Sequence, residues 1–175
     1  MTKLDFSEMD FEEFFGCVNA TNTTQMKSST FRTFRTYIQE KSFAKWSGGQ
    51  LAYVGDHRDG LDFESIVDED WEMKGSLNMF NKNGRTKVVT IKNFYGETKV
   101  FKKTFDYIFL VDTESMSIGY TDWETTYKRH YFTDKSPLVR VRYEPQDYKM
   151  IVSNVTPTTK SITASEILKG IEHIL

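Results

Sequence analysis

Apolar positions recur at helical spacing between Ser7 and Asn19, where Phe11, Phe14, Phe15 and Val18 share one face. Ser7 with Asp10 resembles a capping box at the start of that helix. A second helix is predicted over Ser29–Lys45, with Phe31, Phe34, Ile38 and Phe43 roughly on one side, and Ser47-Gly48-Gly49 stops it. The period then changes. Leu51–Val54 reads as a short strand, and Asp70-Trp71-Glu72-Met73-Lys74 alternates polar and apolar, so Asp70, Glu72 and Lys74 point one way while Trp71 and Met73 enter the core. Asn81–Gly84 is a turn cluster, Thr86–Phe94 a strand, and Gly96–Lys103 a short helix. The unbroken apolar run Tyr107–Val111 predicts a buried central strand, with Ser117–Tyr120 pairing beside it after a turn. Thr121 with Glu124 opens a helix to about Tyr131, Leu138–Tyr143 and Tyr148–Val152 alternate as strands, and Thr163 with Glu166 caps a last helix to Leu175. The order predicts an α/β fold, a central mixed β-sheet flanked by helices. With no repeat and no obvious linker, one domain is expected over residues 1–175.

Composition narrows the class. Aromatics make up 15% of 175 residues, enough bulk for a core without disulfides. A single cysteine, Cys17, excludes a disulfide framework and Cys-based zinc, and three scattered histidines argue against a His-ligated metal. Cys17 falls on the apolar helix face and reads as packing, His130 as an exposed helix residue. No apolar run approaches the roughly 20 residues needed to cross a bilayer. The acidic N-terminus is not a secretory signal. A cytoplasmic protein with no membrane partner is therefore expected.

The net charge of −2 hides a block pattern. Residues 51–75 carry eight acids against two bases, whereas residues 21–50 carry five bases against one acid and residues 76–110 seven bases against two acids. Carboxylates inside a positive rim suit a metal-dependent enzyme acting on a polyanion, although ordinary solvated faces would give the same count.

Three acid-x-Lys triplets occur: Glu72-Met73-Lys74, Glu97-Thr98-Lys99 and Asp147-Tyr148-Lys149. Only the first has an acid, Asp62, ten residues before it, where the others have Lys87 and Pro137. Only the first also sits on a credible strand. Phosphodiester hydrolysis must neutralise charge on a phosphorane-like transition state and activate water. Two carboxylates can hold Mg²⁺, which prefers hard oxygen ligands and keeps several waters. A lysine two residues from the second acid shares its strand face and can stabilise developing negative charge.

Asp62 with Glu72-Met73-Lys74 resembles the PD-(D/E)xK nuclease signature, and the closer similarity is to PvuII-like type II restriction endonucleases. Arg58-Asp59-Gly60-Leu61-Asp62 resembles that family's Arg-Glu-Gly-Asn-Asp segment, and Asp70–Lys74 its Glu-Tyr-Glu-Leu-Lys strand with the same ten-residue gap. Tyr107–Val111 resembles its Trp-Ile-Phe-Ala-Ile strand. The resemblance covers roughly residues 58–130. Leu61 departs from the family at a position that does not bind metal. The resemblance implies a restriction-endonuclease-like fold, Asp62 and Glu72 as Mg²⁺ ligands with the Met73 carbonyl, Asp59 holding a metal-bound water, and Lys74 as the catalytic lysine. It also implies a homodimer on palindromic double-stranded DNA, helped by the N-terminal helices (about 7–45), and a companion DNA methyltransferase in the host.

The family's base-reading strand falls opposite Ile91, Lys92 and Asn93, so Lys92 and Asn93, with Thr90 on the same face as Lys92, are candidate base contacts. The family's histidines are absent there, which implies a different target sequence. Arg32, Arg35, Lys82, Arg85, Lys87, Lys102 and Lys103 are candidate phosphate contacts. Two other readings share these residues: a structure-specific repair or junction-resolving nuclease, and a non-catalytic DNA-binding or interaction domain in which the acids are coincidental.

Overall fold

In a computed structural model, residues 1–22, 32–92, 100–133 and 138–159 are described. The expectations for Ser29–Phe31, Asn93, Phe94, Gly96–Lys99 and the terminal helix from Thr163 lie outside these residues.

Asp10 starts the first helix, α1 (Phe11–Thr21), by accepting a hydrogen bond from the Glu13 amide at 3.1 Å. Ser7 instead lies in a single 3-10 turn, Phe6–Glu8, where Asp5 accepts from its amide and its hydroxyl. The helix therefore begins later than Ser7. The second helix, α2 (Arg32–Lys45), ends at Ser47-Gly48-Gly49, both glycines having positive φ.

Strands β1 (Leu51–Tyr53), β2 (Phe63–Ser65), β3 (Asp70–Ser76), β5 (Tyr107–Asp112), β6 (Ser117–Asp122) and β9 (Lys149–Val152) form the main sheet in the order β1-β2-β3-β5-β6-β9. Its pairs are antiparallel except β3 with β5, which run parallel with Glu72 opposite Ile108 and Lys74 opposite Leu110. The fold is α/β with a mixed central sheet. β4 (Val89–Lys92), β7 (His130–Phe132) and β8 (Leu138–Val141) make a second, antiparallel sheet in the order β4-β8-β7. The helix α3 (Trp123–Arg129) is capped by Asp122, which accepts from the Thr125 amide at 2.8 Å, rather than by Thr121, whose hydroxyl bonds the Asp147 carbonyl instead. No helix occupies 100–103, and β4 is shorter than the strand expected over Thr86–Phe94.

Two cores follow from the strand alternation. On one face of the main sheet, Trp71, Met73, Phe109 and Val111 pack with Phe14, Phe15, Val18 and Phe43 from the two helices. Trp71 stacks on Phe109 with centroids 4.0 Å apart, and Phe43 meets Phe14 and Phe109 edge-on at 4.9 and 4.7 Å. On the other face, Ile108 and Leu110 meet Val89, Ile91, Val139 and Val141 of the small sheet, together with Trp123. The molecule is thus layered as helices, main sheet, then small sheet with α3. The phenylalanine face of α1 is the interior of its own chain, not a dimer surface, because Phe14 and Phe15 are fully buried there. Cys17 is buried beside them. Among the described residues no helix is long and apolar enough to cross a membrane.

Candidate active site

Alternation along β3 sends Trp71 and Met73 to the helix-side core and leaves Glu72 and Lys74 on the opposite face. Asp62 reaches the same place by another route. The loop after β1 turns at Gly60, whose φ of +79° is open to glycine at no steric cost. Leu61 is buried in the second core, which anchors the loop. The Val54 amide donates to the Asp62 carbonyl at 2.8 Å, and the Asp62 amide to the Trp71 carbonyl at 3.2 Å. Asp62 Oδ2 then accepts from the Met73 amide at 2.8 Å, and Glu72 Oε1 sits 3.1 Å from the same nitrogen. One main-chain N–H on β3 therefore holds both carboxylates together.

These side chains line a cavity of about 530 Å³ together with Asp59, Met73, Lys74, Lys87, Thr90, Lys92 and Arg32. The acids and the lysine that the sequence singles out are brought together, and the basic residues stand around them. Arg35 lines an adjoining cavity of about 630 Å³ that shares Arg32 and Thr36 with the first. Other expected phosphate contacts are placed elsewhere. Arg85 pairs with Glu144 at 3.1 Å, Lys103 pairs with Asp106 at 3.0 Å, and Lys82 lies exposed in the Asn81–Gly84 turn. Lys102 is exposed and does not line the cavity. Asp59 is exposed at the rim, and Arg58 beside it is engaged by Glu64 and Asp70. His130 is not an exposed helix residue: it is the half-buried C-cap of α3, packed among Phe101, Tyr127 and Phe132.

A residue that the sequence does not mark joins the group. Arg32, Thr36 and Glu40 are spaced by four on α2 and all three line the cavity. The Glu40 carboxyl is within hydrogen-bonding reach of Asp62 and of the Tyr53 hydroxyl on β1. Burial first, and then the charge of Asp62, pushes its pKa from 4.5 up to about 8. Glu72, only 7% exposed, is held well above the usual carboxylate range by burial and then by its contact with Asp62, with Lys74 acting in the opposite sense. Like charges in a partly desolvated site resist joint ionisation, and Lys74 alone is too little compensation for three acids.

The donor set is hard oxygen, with Asp62, Glu72 and Glu40 close together and Arg32, Lys74, Lys87 and Lys92 around the same cavity. That fits a divalent cation held by Asp62 and Glu72, with the remaining positions open to waters, as Mg²⁺ prefers. Among the described residues no three His, Cys, Asp or Glu side chains meet in a geometry that would hold a metal by themselves. No protein-family model matches the chain, and no curated protein matches it either.

Proposed function

We propose that this chain is a Mg²⁺-dependent endonuclease of the type II restriction kind, hydrolysing phosphodiester bonds in double-stranded DNA at a short palindromic site as a homodimer. The observation that carries the proposal is the convergence of Asp62, Glu72 and Lys74 in one cavity whose wall also holds Arg32, Lys87 and Lys92. Carboxylates alone would repel a phosphate; carboxylates beside a lysine and within a basic rim admit one once a cation is bound. Bound there, the cation would neutralise phosphate charge and lower the pKa of a water.

The chain's own residues supply the rest. Lys74 presents its ammonium from the strand face that carries Glu72, where it stabilises charge developing on the phosphoryl oxygens and orients a water. Asp62 and Glu72 are fixed by the Met73 amide, so their separation is set by backbone rather than by flexible side chains. Glu40, anchored by Tyr53, closes the acidic side of the cavity. A second copy of the chain, placing a second cavity on the opposite strand, accounts for cutting both strands of a symmetric site. Such an enzyme in a cell that contains its own target sites works beside a methyltransferase that protects them.

The test is digestion of a sequenced supercoiled plasmid in Mg²⁺. Discrete fragments with common ends are expected from the wild type, with none from Asp62→Ala or Glu72→Ala at the same concentration. Ordinary cleavage by either variant would overturn the assignment. Cleavage confined to branched or damaged duplexes would replace the restriction reading with the structure-specific one.

A further inference from the structure

The small sheet has an outer face as well as an inner one. Val89 and Ile91 of β4 and Val139 and Val141 of β8 point inward to the second core. Alternation therefore turns Thr90, Lys92, Leu138 and Arg140 outward. The register places Thr90 opposite Arg140, and Arg140 opposite Tyr131 of β7, so one row crosses all three strands. The next row pairs Lys92 with Leu138. Thr90 and Lys92 also line the cavity that holds Asp62 and Glu72, so this face continues the candidate active site without a break.

Arg140 differs from the other arginines of the region. Arg58, Arg85 and Arg129 are each ion-paired, with Glu64, Glu144 and Asp147 respectively, and Arg142 donates to the Thr86 carbonyl at 3.3 Å. Arg140 is half-buried on the central strand, and its Nε–H is buried without an acceptor among the described residues. With a residue beside it on each neighbouring strand the side chain has less rotamer freedom to lose, and its buried, unfilled Nε–H gains an acceptor only if the guanidinium turns outward to meet one. Tyr131 stands exposed on one side of it and Thr90 on the other.

We propose that this outer face docks in the major groove of duplex DNA and that Arg140 is a specificity-determining residue, donating to the acceptor edge of a guanine, with Thr90 and Tyr131 as its flanking contacts. The assignment rests on the nuclease reading above. The positive charge of Arg140 and Lys92 and continuity with the cavity that holds Asp62, Glu72 and Lys74 select the occupant. A two- or three-stranded antiparallel ribbon fits the major groove, where guanine N7 and O6 match the arginine fork. The centre of the sheet is the place for base contact, and flanking Lys87 and Lys92 are suited to phosphate.

The experiment uses Ca²⁺ in place of Mg²⁺ to allow binding without turnover. The duplex preferred by the wild-type chain is first selected from a randomised-core DNA pool. Anisotropy then compares that duplex with versions changed at one base pair. Arg140→Ala should reduce the wild-type preference at one G·C pair by about five- to 150-fold, which is the range for one lost bidentate base contact. Arg140→Gln, which keeps the stem and changes the donors, should shift the preference at that pair towards A·T. Lys149→Ala, on the edge of the main sheet, should leave every ratio unchanged. Equal weakening on all duplexes, with a shallower salt dependence, would make Arg140 a phosphate contact and overturn the specificity role. Unaltered binding would remove the face from the interface. Failure of the wild-type chain to prefer any duplex would instead sink the restriction reading, and this proposal with it.

Discussion

Replacing Glu40 by glutamine tests the carboxylate cluster without touching the residues that define the nuclease signature. Glutamine keeps the shape of the side chain and an oxygen that can accept from Tyr53, and it removes a charge. The sign of the effect follows from proton binding. Glu40 titrates near 4.5 when unfolded and is pushed up to about 8 when folded, chiefly by burial and then by Asp62. Between those values the native state holds a proton that the unfolded state has released. Stability is therefore fully present below about pH 4.5, declines as pH rises, and reaches its floor above about pH 8. Each tenfold change in proton affinity is worth about 1.4 kcal/mol, so the interval sets a ceiling of about 5 kcal/mol on the loss. Relaxation of Asp62 and entry of water reduce this, and we expect about 2–3 kcal/mol at pH 8.5. In a domain of this size that corresponds to a melting shift of roughly 5–10 °C. Thermal melts in EDTA should show wild type and Glu40→Gln nearly equal at pH 5 and the variant distinctly more stable at pH 8.5. Mg²⁺ should raise the wild-type melting temperature at pH 8.5 and narrow the gap. A difference that does not change with pH, or a variant less stable at pH 8.5, would refute the argument that Glu40 is held among like charges.

Lys74→Ala is expected to lower single-turnover cleavage by several orders of magnitude while leaving Ca²⁺-supported DNA binding close to wild type, because its charge acts on the transition state; a near-normal rate would remove it from the chemistry. Thr126→Val strands the fully buried Tyr143 hydroxyl, which lies 2.9 Å from Thr126 Oγ1. Urea denaturation should show a loss of about 1–3 kcal/mol, and adding Tyr143→Phe should cost less than the sum of the two single changes. Gly84→Ala places a methyl group at φ +81° and 3.0 Å from Pro145 Cγ, so a loss of about 1–2 kcal/mol is expected by the same measurement. A neutral result would mean that Pro145 yields readily.

Legibility in the sequence tracked how local each determinant is. The two-residue period at Asp70–Lys74 and the continuous run at Tyr107–Val111 mark the strand that carries Glu72 and Lys74 and its parallel neighbour, because burial of one face or both is written into consecutive residues. The turns at Gly48-Gly49 and Gly84 are equally plain, whereas the turn at Gly60 that delivers Asp62 is not marked by a cluster of turn residues. Both expected helix caps are displaced in the same way. In each case the cap is the aspartate immediately before an aromatic residue, Asp10 before Phe11 and Asp122 before Trp123, and the nearby hydroxyl residue is occupied elsewhere. β2 has no expectation in the sequence, because it lies in an acid-rich stretch and its pairing with β1 and β3 is what defines it. Asp62, Glu72 and Lys74 were visible as a spaced motif. Glu40 was not: it lies on a helix far upstream, and its only local sign is a polar stripe with Arg32 and Thr36. Arg140 was hidden for a similar reason, since its place beside Thr90 is a matter of strand order.

The shared Met73 amide separates two kinds of selection on a single strand. The atom that holds Asp62 and Glu72 belongs to the main chain, so every amino acid except proline can provide it. The Met73 side chain, on the reverse of the strand, answers only to Trp71, Phe109 and their neighbours. Drift at position 73 can therefore tune how tightly the layers fit while the placement of the two carboxylates stays fixed. Leucine or isoleucine there should serve as well as methionine, and repacking of the interior and change on the carboxylate face can proceed as independent lines of descent.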